Sequence, residues 1–274
     1  MPSVIDAHMH LSERNDDELW PYASRNGLEY SLDELLRLMR RYGVECGLLL
    51  SPPILGGRLL PNETVLKLCG ESRGKLSPVL TVDPTAAEVR AAIKLAEQNR
   101  KLVKAFKIRL GYVATFAHSP VFSPLYDYAE AEGLPVMFHT GDTASSDGSL
   151  VHSHPLTLDA LANAREELNV VICHFGNPWF EDVAELIYKH PKVYADISGL
   201  SVGGSKYAAK YLGWLAKKIS GAIYFAGGAE KVIFGTDYPV TKYSDALTLV
   251  KMLEVDRRDK EMILSRNAKS VFHL

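Results

Sequence analysis

His8 and His10 stand two residues apart, as His8-Met9-His10. In an extended segment, residues two apart face the same way, so both imidazoles can point to one side. Alone, such a pair reads equally well as two hydrogen-bonded core histidines. Three further segments carry an ionisable residue in a matching setting: Phe138-His139-Thr140-Gly141, Cys173-His174-Phe175-Gly176 and Gly235-Thr236-Asp237-Tyr238-Pro239. Each closes a short apolar run. Four imidazoles and a carboxylate gathered in a protein interior carry a large desolvation cost unless a cation shares them. Imidazole nitrogens with one carboxylate suit Zn²⁺, and Fe or Mn also fit such a set.

The elements that must position these residues alternate regularly. Strand-like runs cover 4–10, 44–51, 76–82, 102–110, 135–140, 170–174, 193–197 and 231–236. Helical segments fall between them, at 62–72, 86–99, 123–132, 157–167, 181–189, 205–220 and 245–253, with a terminal piece at 260–272. The first helix is the clearest: Ser31 and Glu34 form a capping box, Leu32, Leu35, Leu36 and Met39 keep helical spacing, and Gly43 ends it. Strands that are apolar almost throughout fit a parallel sheet covered on both faces. Strand–helix alternation implies an α/β fold. No Gly-x-Gly-x-x-Gly follows the first strand and no P-loop occurs, which argues against a doubly wound sheet. Eight units fit a closed TIM (β/α)8 barrel, read as one domain over 1–274. The longest irregular stretches, 12–30, 111–120 and 142–154, follow strands and are expected to build the mouth.

Composition narrows the partners. The 31 Lys and Arg against 33 Asp and Glu give a net charge of −2, so no basic field invites nucleic acid. Cys46, Cys69 and Cys173 are too few for a disulfide framework and suggest a reducing, cytoplasmic setting. No apolar run approaches a membrane span, and the N-terminal residues carry no basic stretch with an apolar core. A small-molecule substrate is expected, with a homo-oligomer left open.

The segments 5–10, 134–141, 171–176, 194–199 and 233–239, with the tail 263–268, resemble the amidohydrolase superfamily. More narrowly they resemble its amidohydrolase-related branch, which includes aminocarboxymuconate-semialdehyde decarboxylase and several TIM-barrel lactonases. The resemblance spans nearly the whole chain and does not specify a substrate. It implies that His8, His10 and His139 are nitrogen ligands of the metal. It implies that Asp237 binds the metal and handles the proton of an attacking water. His174 would polarise substrate or act as acid and base.

Lys107 and Arg109 share the face of the fourth strand that looks toward the mouth, whereas Phe106 and Ile108 look toward the helices. In binuclear relatives a lysine here is carboxylated and bridges two metals, with His139 and His174 on the second. Alternatively Lys107 stays an ammonium and orients an anionic substrate; one metal is favoured over two. Arg109 either clamps a carboxylate or is a solvated strand-end charge. Asp196 either hydrogen-bonds a ligand histidine from behind or orients a loop. Cys173, next to His174, is expected to face the helix layer as an inert thiol. His118, His152 and His154 are placed in surface loops, and His190 and His273 at the surface. The function expected is hydrolysis of a lactone, cyclic amide or related acyl bond by a metal-activated water. The alternative is metal-dependent non-oxidative decarboxylation.

Overall fold

The computed structural model describes residues 3–14, 17–54, 58–201 and 206–274. Eight parallel strands form one sheet: β1 (Val4–His10), β2 (Val44–Leu50), β3 (Leu76–Thr81), β4 (Ala105–Ile108), β5 (Val136–Phe138), β6 (Val170–Ile172), β7 (Val193–Asp196) and β8 (Val232–Ile233). Each pairs with the next in chain order. The first and last strands then meet. Ala7 N–H donates to Phe234 O at 3.0 Å, His10 N–H to Tyr238 O at 2.8 Å and Asp237 N–H to His8 O at 2.7 Å. The sheet thereby closes into the expected barrel.

One principal helix follows each strand: α1 (Leu32–Tyr42), α2 (Asn62–Glu71), α3 (Ala86–Gln98), α4 (Ser123–Glu132), α5 (Asp159–Ala164), α6 (Phe180–Lys189), α7 (Ala208–Ala226) and α8 (Tyr243–Met252). The start of α1 is as expected, since Ser31 Oγ accepts from Glu34 N–H, and Gly43 ends it at φ 70°. The capping box is half made. The Glu34 carboxylate turns to Arg37 instead, accepting at 2.8 and 2.7 Å.

Two cores explain the strands without polar faces. Phe106, Ile108, Phe138 and Ile172 pack outward against the helices, while Ala7, Leu48, Val79, Ala105 and Met137 fill the barrel. The barrel's floor is plugged by the chain's last helix, Asn267–Phe272, whose Val271 and Phe272 join the inner core. Asn267 Nδ2 anchors the plug by donating to Ala229 O and Val232 O, each at 2.7 Å.

Departures from expectation cluster at element ends. The fourth strand is shorter than 102–110, and the segment 157–167 divides into a 3-10 turn (Pro155–Leu158) and α5. The helix expected from 205 runs on to Ala226; Ser205 itself lies outside the described residues. A π turn, Met262–Arg266, interrupts the terminal piece. Short helices at Trp20–Arg25 and Leu150–Ser153 sit inside two of the loops. His190 is buried rather than superficial, its Nε2 lying 2.7 Å from Asp159 Oδ1. No described helix is long and apolar enough to cross a membrane.

Candidate metal centre

Strand β1 reverses its parity before it reaches the mouth. Ile5 and Ala7 point into the barrel, whereas Met9 belongs to the outer core. The β1–β2 register shifts between Asp6 and Met9, and this irregularity turns His8 and His10 inward together. Their Nε2 atoms lie 3.6 and 3.1 Å from Asp237 Oδ1. Asp6, a residue the motif reading passed over, ties the two strands at this point. It accepts from Thr236 N–H at 2.9 Å, Thr236 Oγ1 at 2.6 Å and His8 N–H at 3.2 Å. Burial pushes its carboxyl up to about 7.

Left-handed backbone places the other two inward groups. His174 has φ 59° and Asp237 φ 59°. Non-glycine residues pay a conformational cost there, and such strain persists only where the surroundings enforce it. The turn at His174 also overturns the expectation for Cys173. Alternation would send neighbouring residues to opposite faces, but the left-handed step brings both inward. Cys173 joins the inner core, and its Sγ accepts from Lys107 Nζ at 2.7 Å. Gly199 makes the close approach possible: a Cβ there would lie 2.8 Å from both Asp237 Oδ2 and His174 Nδ1.

Hydrogen-bond acceptors fix the tautomers. His10 Nδ1 faces the Leu50 carbonyl at 3.1 Å, and His8 Nδ1 faces Asp196 Oδ2 at 3.0 Å. His174 Nδ1 faces the Ser198 carbonyl at 3.2 Å. All three rings therefore donate through Nδ1 and turn an Nε2 lone pair to the cavity. His139 is reversed, with Nε2 donating to Asp142 O at 3.0 Å and Nδ1 left as acceptor. Burial disfavours the charged form of His8, His139 and His174: His8 falls to about 4, and His139 and His174 fall below the ordinary imidazole value.

Asp196 organises the group from behind. It is fully buried, and besides His8 it accepts from His174 N–H at 2.9 Å, Ser198 N–H at 3.0 Å and Ser198 Oγ at 2.5 Å. Despite the burial penalty, the histidines and Lys107 hold Asp196 below the usual carboxylate range. Asp237 is held low too, chiefly by its His10 contact and the His174 and His8 rings set against burial. Ser198, which the motif reading did not single out, links His8, His174 and Asp196.

The ligand atoms of His8, His10 and Asp237 lie within 4.8 Å of one another, as do those of His8, His174 and Asp196. His139 belongs to neither trio. Its ring lies 4.8 Å from that of His174 and 4.7 Å from that of Tyr112. Lone pairs and a carboxylate oxygen at such spacing repel one another, and a divalent cation is the group this donor set fits.

Lys107 faces the barrel interior, where its Nζ meets Cys173. Arg109 is only 15% exposed, pairs loosely with Asp83 at 3.8 Å and lies over the Tyr112 ring. Among the described residues its Nε has no hydrogen-bond partner, and neither has Thr81 Oγ1, on the strand next to Lys107. His152 and His154 are occupied elsewhere, by Ser149 and by the Trp179 ring.

The chain belongs to the amidohydrolase family, whose family model matches residues 5–274. Its barrel is shared by proteins of low sequence identity. A TIM-barrel protein from Bordetella bronchiseptica superposes with a TM-score of 0.76 at 18% identity, over 99% of this chain and 98% of its own. A probable 2-pyrone-4,6-dicarboxylic acid hydrolase from Acinetobacter baumannii, with citric acid bound, gives 0.71 at 19% identity over 99% of both chains. A dihydroxybenzoic acid decarboxylase from Polaromonas, with manganese and 2-nitroresorcinol bound, gives 0.70 at 16% identity over 100% of this chain and 98% of its own. No curated protein sequence matches the chain.

Proposed function

We propose that this protein is a divalent-metal-dependent hydrolase of a lactone, cyclic amide or related acyl bond in a small carboxylated substrate. One observation carries the reading. Three imidazoles, His8 buried and His10 and His174 half-buried, commit their N–H groups to Asp196, Leu50 and Ser198 and turn their lone pairs toward the cavity that holds Asp237. His8, His10 and Asp237 would hold one ion, with His139 as a further nitrogen ligand. Zn²⁺ suits that set, and manganese is the ion of the Polaromonas decarboxylase. The Lys107 ammonium sits on the Cys173 thiol, which favours one ion over a pair bridged by a carboxylated lysine.

A divalent ion there supplies a Lewis acid for a substrate oxygen and a water of pKa about 7. The protein's own part is positioning and proton transfer. Asp237, held ionised, takes a proton at its carboxylate and returns it to the leaving group. His174, held neutral, exchanges a proton at Nε2. Arg109 Nε and Thr81 Oγ1, both buried without a partner among the described residues, would receive a substrate carboxylate. Lys107 adds positive potential beneath them. All three cysteines are free, which supports a cytoplasmic location.

Decarboxylation is the second reading, favoured by the same cationic pair, Lys107 and Arg109, and by the decarboxylase likeness. Elemental analysis of the purified enzyme is expected to find one divalent ion per chain, lost in His10→Ala. Turnover of 2-pyrone-4,6-dicarboxylate or a related lactone in labelled water should place the label in the product. Release of CO₂ from a dihydroxybenzoate without label uptake would select decarboxylation. A wild-type protein that binds no divalent ion would overturn both.

A further inference from the structure

Behind β8, on the side away from the barrel interior, lies a cavity of about 200 Å³ between α1, the loop at Asn26–Leu28 and the first turn of α8. The volume is below that of most organic ligand pockets and suits a small ion or headgroup. Its floor is Tyr238, the residue after Asp237. Tyr238 is 1% exposed, yet its hydroxyl has no hydrogen-bond partner among the described residues. A buried, unpaired hydroxyl is costly, and it marks a place where a partner is expected. That hydroxyl lies within electrostatic reach of Glu34 and Arg37, which line the cavity.

The rest of the lining is suited to a negative guest. Arg37, Arg41 and Lys242 are cationic, against Glu34 alone. Arg37 is held by Glu34, and Arg41 lies over the Tyr42 ring. Lys242 is the N-cap residue of α8, and no side chain caps that helix. Asp245 and Ala246 N–H donate to Lys242 O at 3.0 Å, which leaves the Tyr243 and Ser244 N–H groups without an intrahelical acceptor at the positive end of the helix dipole. Asp245, in the same turn, accepts from Ser244 Oγ at 3.0 Å. A phenol donor below, cations at the rim and an uncapped ten-residue helix at one wall converge on one small space.

We infer that this cavity is a binding site for a phosphate-type oxyanion, separate from the metal centre. The guest is free phosphate or the phosphate of a small phosphomonoester. Its oxygens accept from Tyr238 Oη, Lys242, Arg41 and the first turn of α8. The site does not depend on which reaction the metal centre performs.

Calorimetric titration of the metal-loaded full-length enzyme with inorganic phosphate, and separately with glycerol phosphate, tests the inference. Saturable binding is expected in the wild type. The surface double variant R41Q/K242Q should weaken it at least about tenfold, and Tyr238→Phe by about fivefold. His10→Ala should leave it unchanged. Equal affinities for the two probes would identify free phosphate, and at least tenfold tighter glycerol phosphate binding a phosphomonoester. No saturable binding, or binding untouched by R41Q/K242Q, would overturn the site. Binding lost in His10→Ala but kept in R41Q/K242Q would place the anion on the metal centre and overturn it equally. If Tyr238→Phe fails to fold, the double variant decides.

Discussion

Asp196 and Gly199 show how residues that touch no substrate set the geometry of those that would. Asp196 aims His8 through Nδ1 and fixes the turn at His174 through its N–H. An asparagine would keep the size but lose the charge, and one face of the amide would be a donor. Asp196→Asn is expected to weaken metal affinity by about 10- to 100-fold with little loss of fold. Competition against a coloured chelator measures this, and unchanged affinity would show that Asp196 does not hold the ligand rings. Gly199→Ala brings a methyl to 2.8 Å from Asp237 Oδ2 and His174 Nδ1, at a backbone φ of 67°. Metal content and activity should both fall while circular dichroism stays native. The ionisable residues were visible in the sequence because each ends an apolar run. Ser198, Thr81 and the inward Cys173 were not. The inward turn of Cys173 depends on the left-handed step at His174, and the roles of Ser198 and Thr81 depend on which side chains the barrel brings beside them, which no local pattern announces.

At the scale of elements, the barrel is held at its floor and at its flanks by different means. The terminal plug is fastened by one amide, since Asn267 satisfies two carbonyls around β8. Asn267→Ala takes this donor from the buried Val232 carbonyl, while Ala229 O keeps Val232 N–H at 3.1 Å, and should cost about 1–3 kcal/mol, read as a lower urea midpoint. On the flank, Asp159 in the first turn of α5 accepts from Lys189 Nζ at 2.6 Å and pairs with His190 at 2.7 Å. These contacts hold its carboxyl below the usual value, with Lys189 the larger cause. A depressed carboxyl contributes stability above its unfolded pKa of about 3.9 and loses it as pH falls through the folded value. Asp159→Asn should therefore lower the unfolding midpoint at pH 6 and converge with the wild type below pH 3. Parallel curves over that range would mean the pair contributes nothing. Strand and helix existence followed from periodicity, but the boundaries moved. The fourth strand contracted because residues at 102–104 carry the chain up to the sheet from the α3 end.

For the whole molecule, the barrel was readable because burying both faces of eight strands leaves few sequences except continuous apolar runs, and the helix caps mark the spacing between them. Closure was expected from the count of eight units, but the bonds that make the β1–β8 seam were not readable, because they are a few backbone contacts at Ala7, His8, His10 and Asp237 rather than a long ladder. His8, His10 and Asp237 are also the candidate ligands, so the seam of the barrel and the metal centre coincide. This makes metal binding and global stability one equilibrium. An ion held by His8 and His10 on β1 and by Asp237 after β8 binds the closed barrel and finds no preformed site in the unfolded chain. At a free concentration 100 times the dissociation constant, such an ion stabilises the native state by about 2.7 kcal/mol. For a barrel of this size each kcal/mol moves the melting point by about 2–4 °C. Stripping the ion should therefore lower Tm by about 5–11 °C, and restoring it should recover the difference. His10→Ala should melt near the stripped wild type and respond little to added metal. A wild-type Tm that does not change with chelation, measured by scanning calorimetry at matched ionic strength, would separate the seam from the metal and count against the three-residue ligand set.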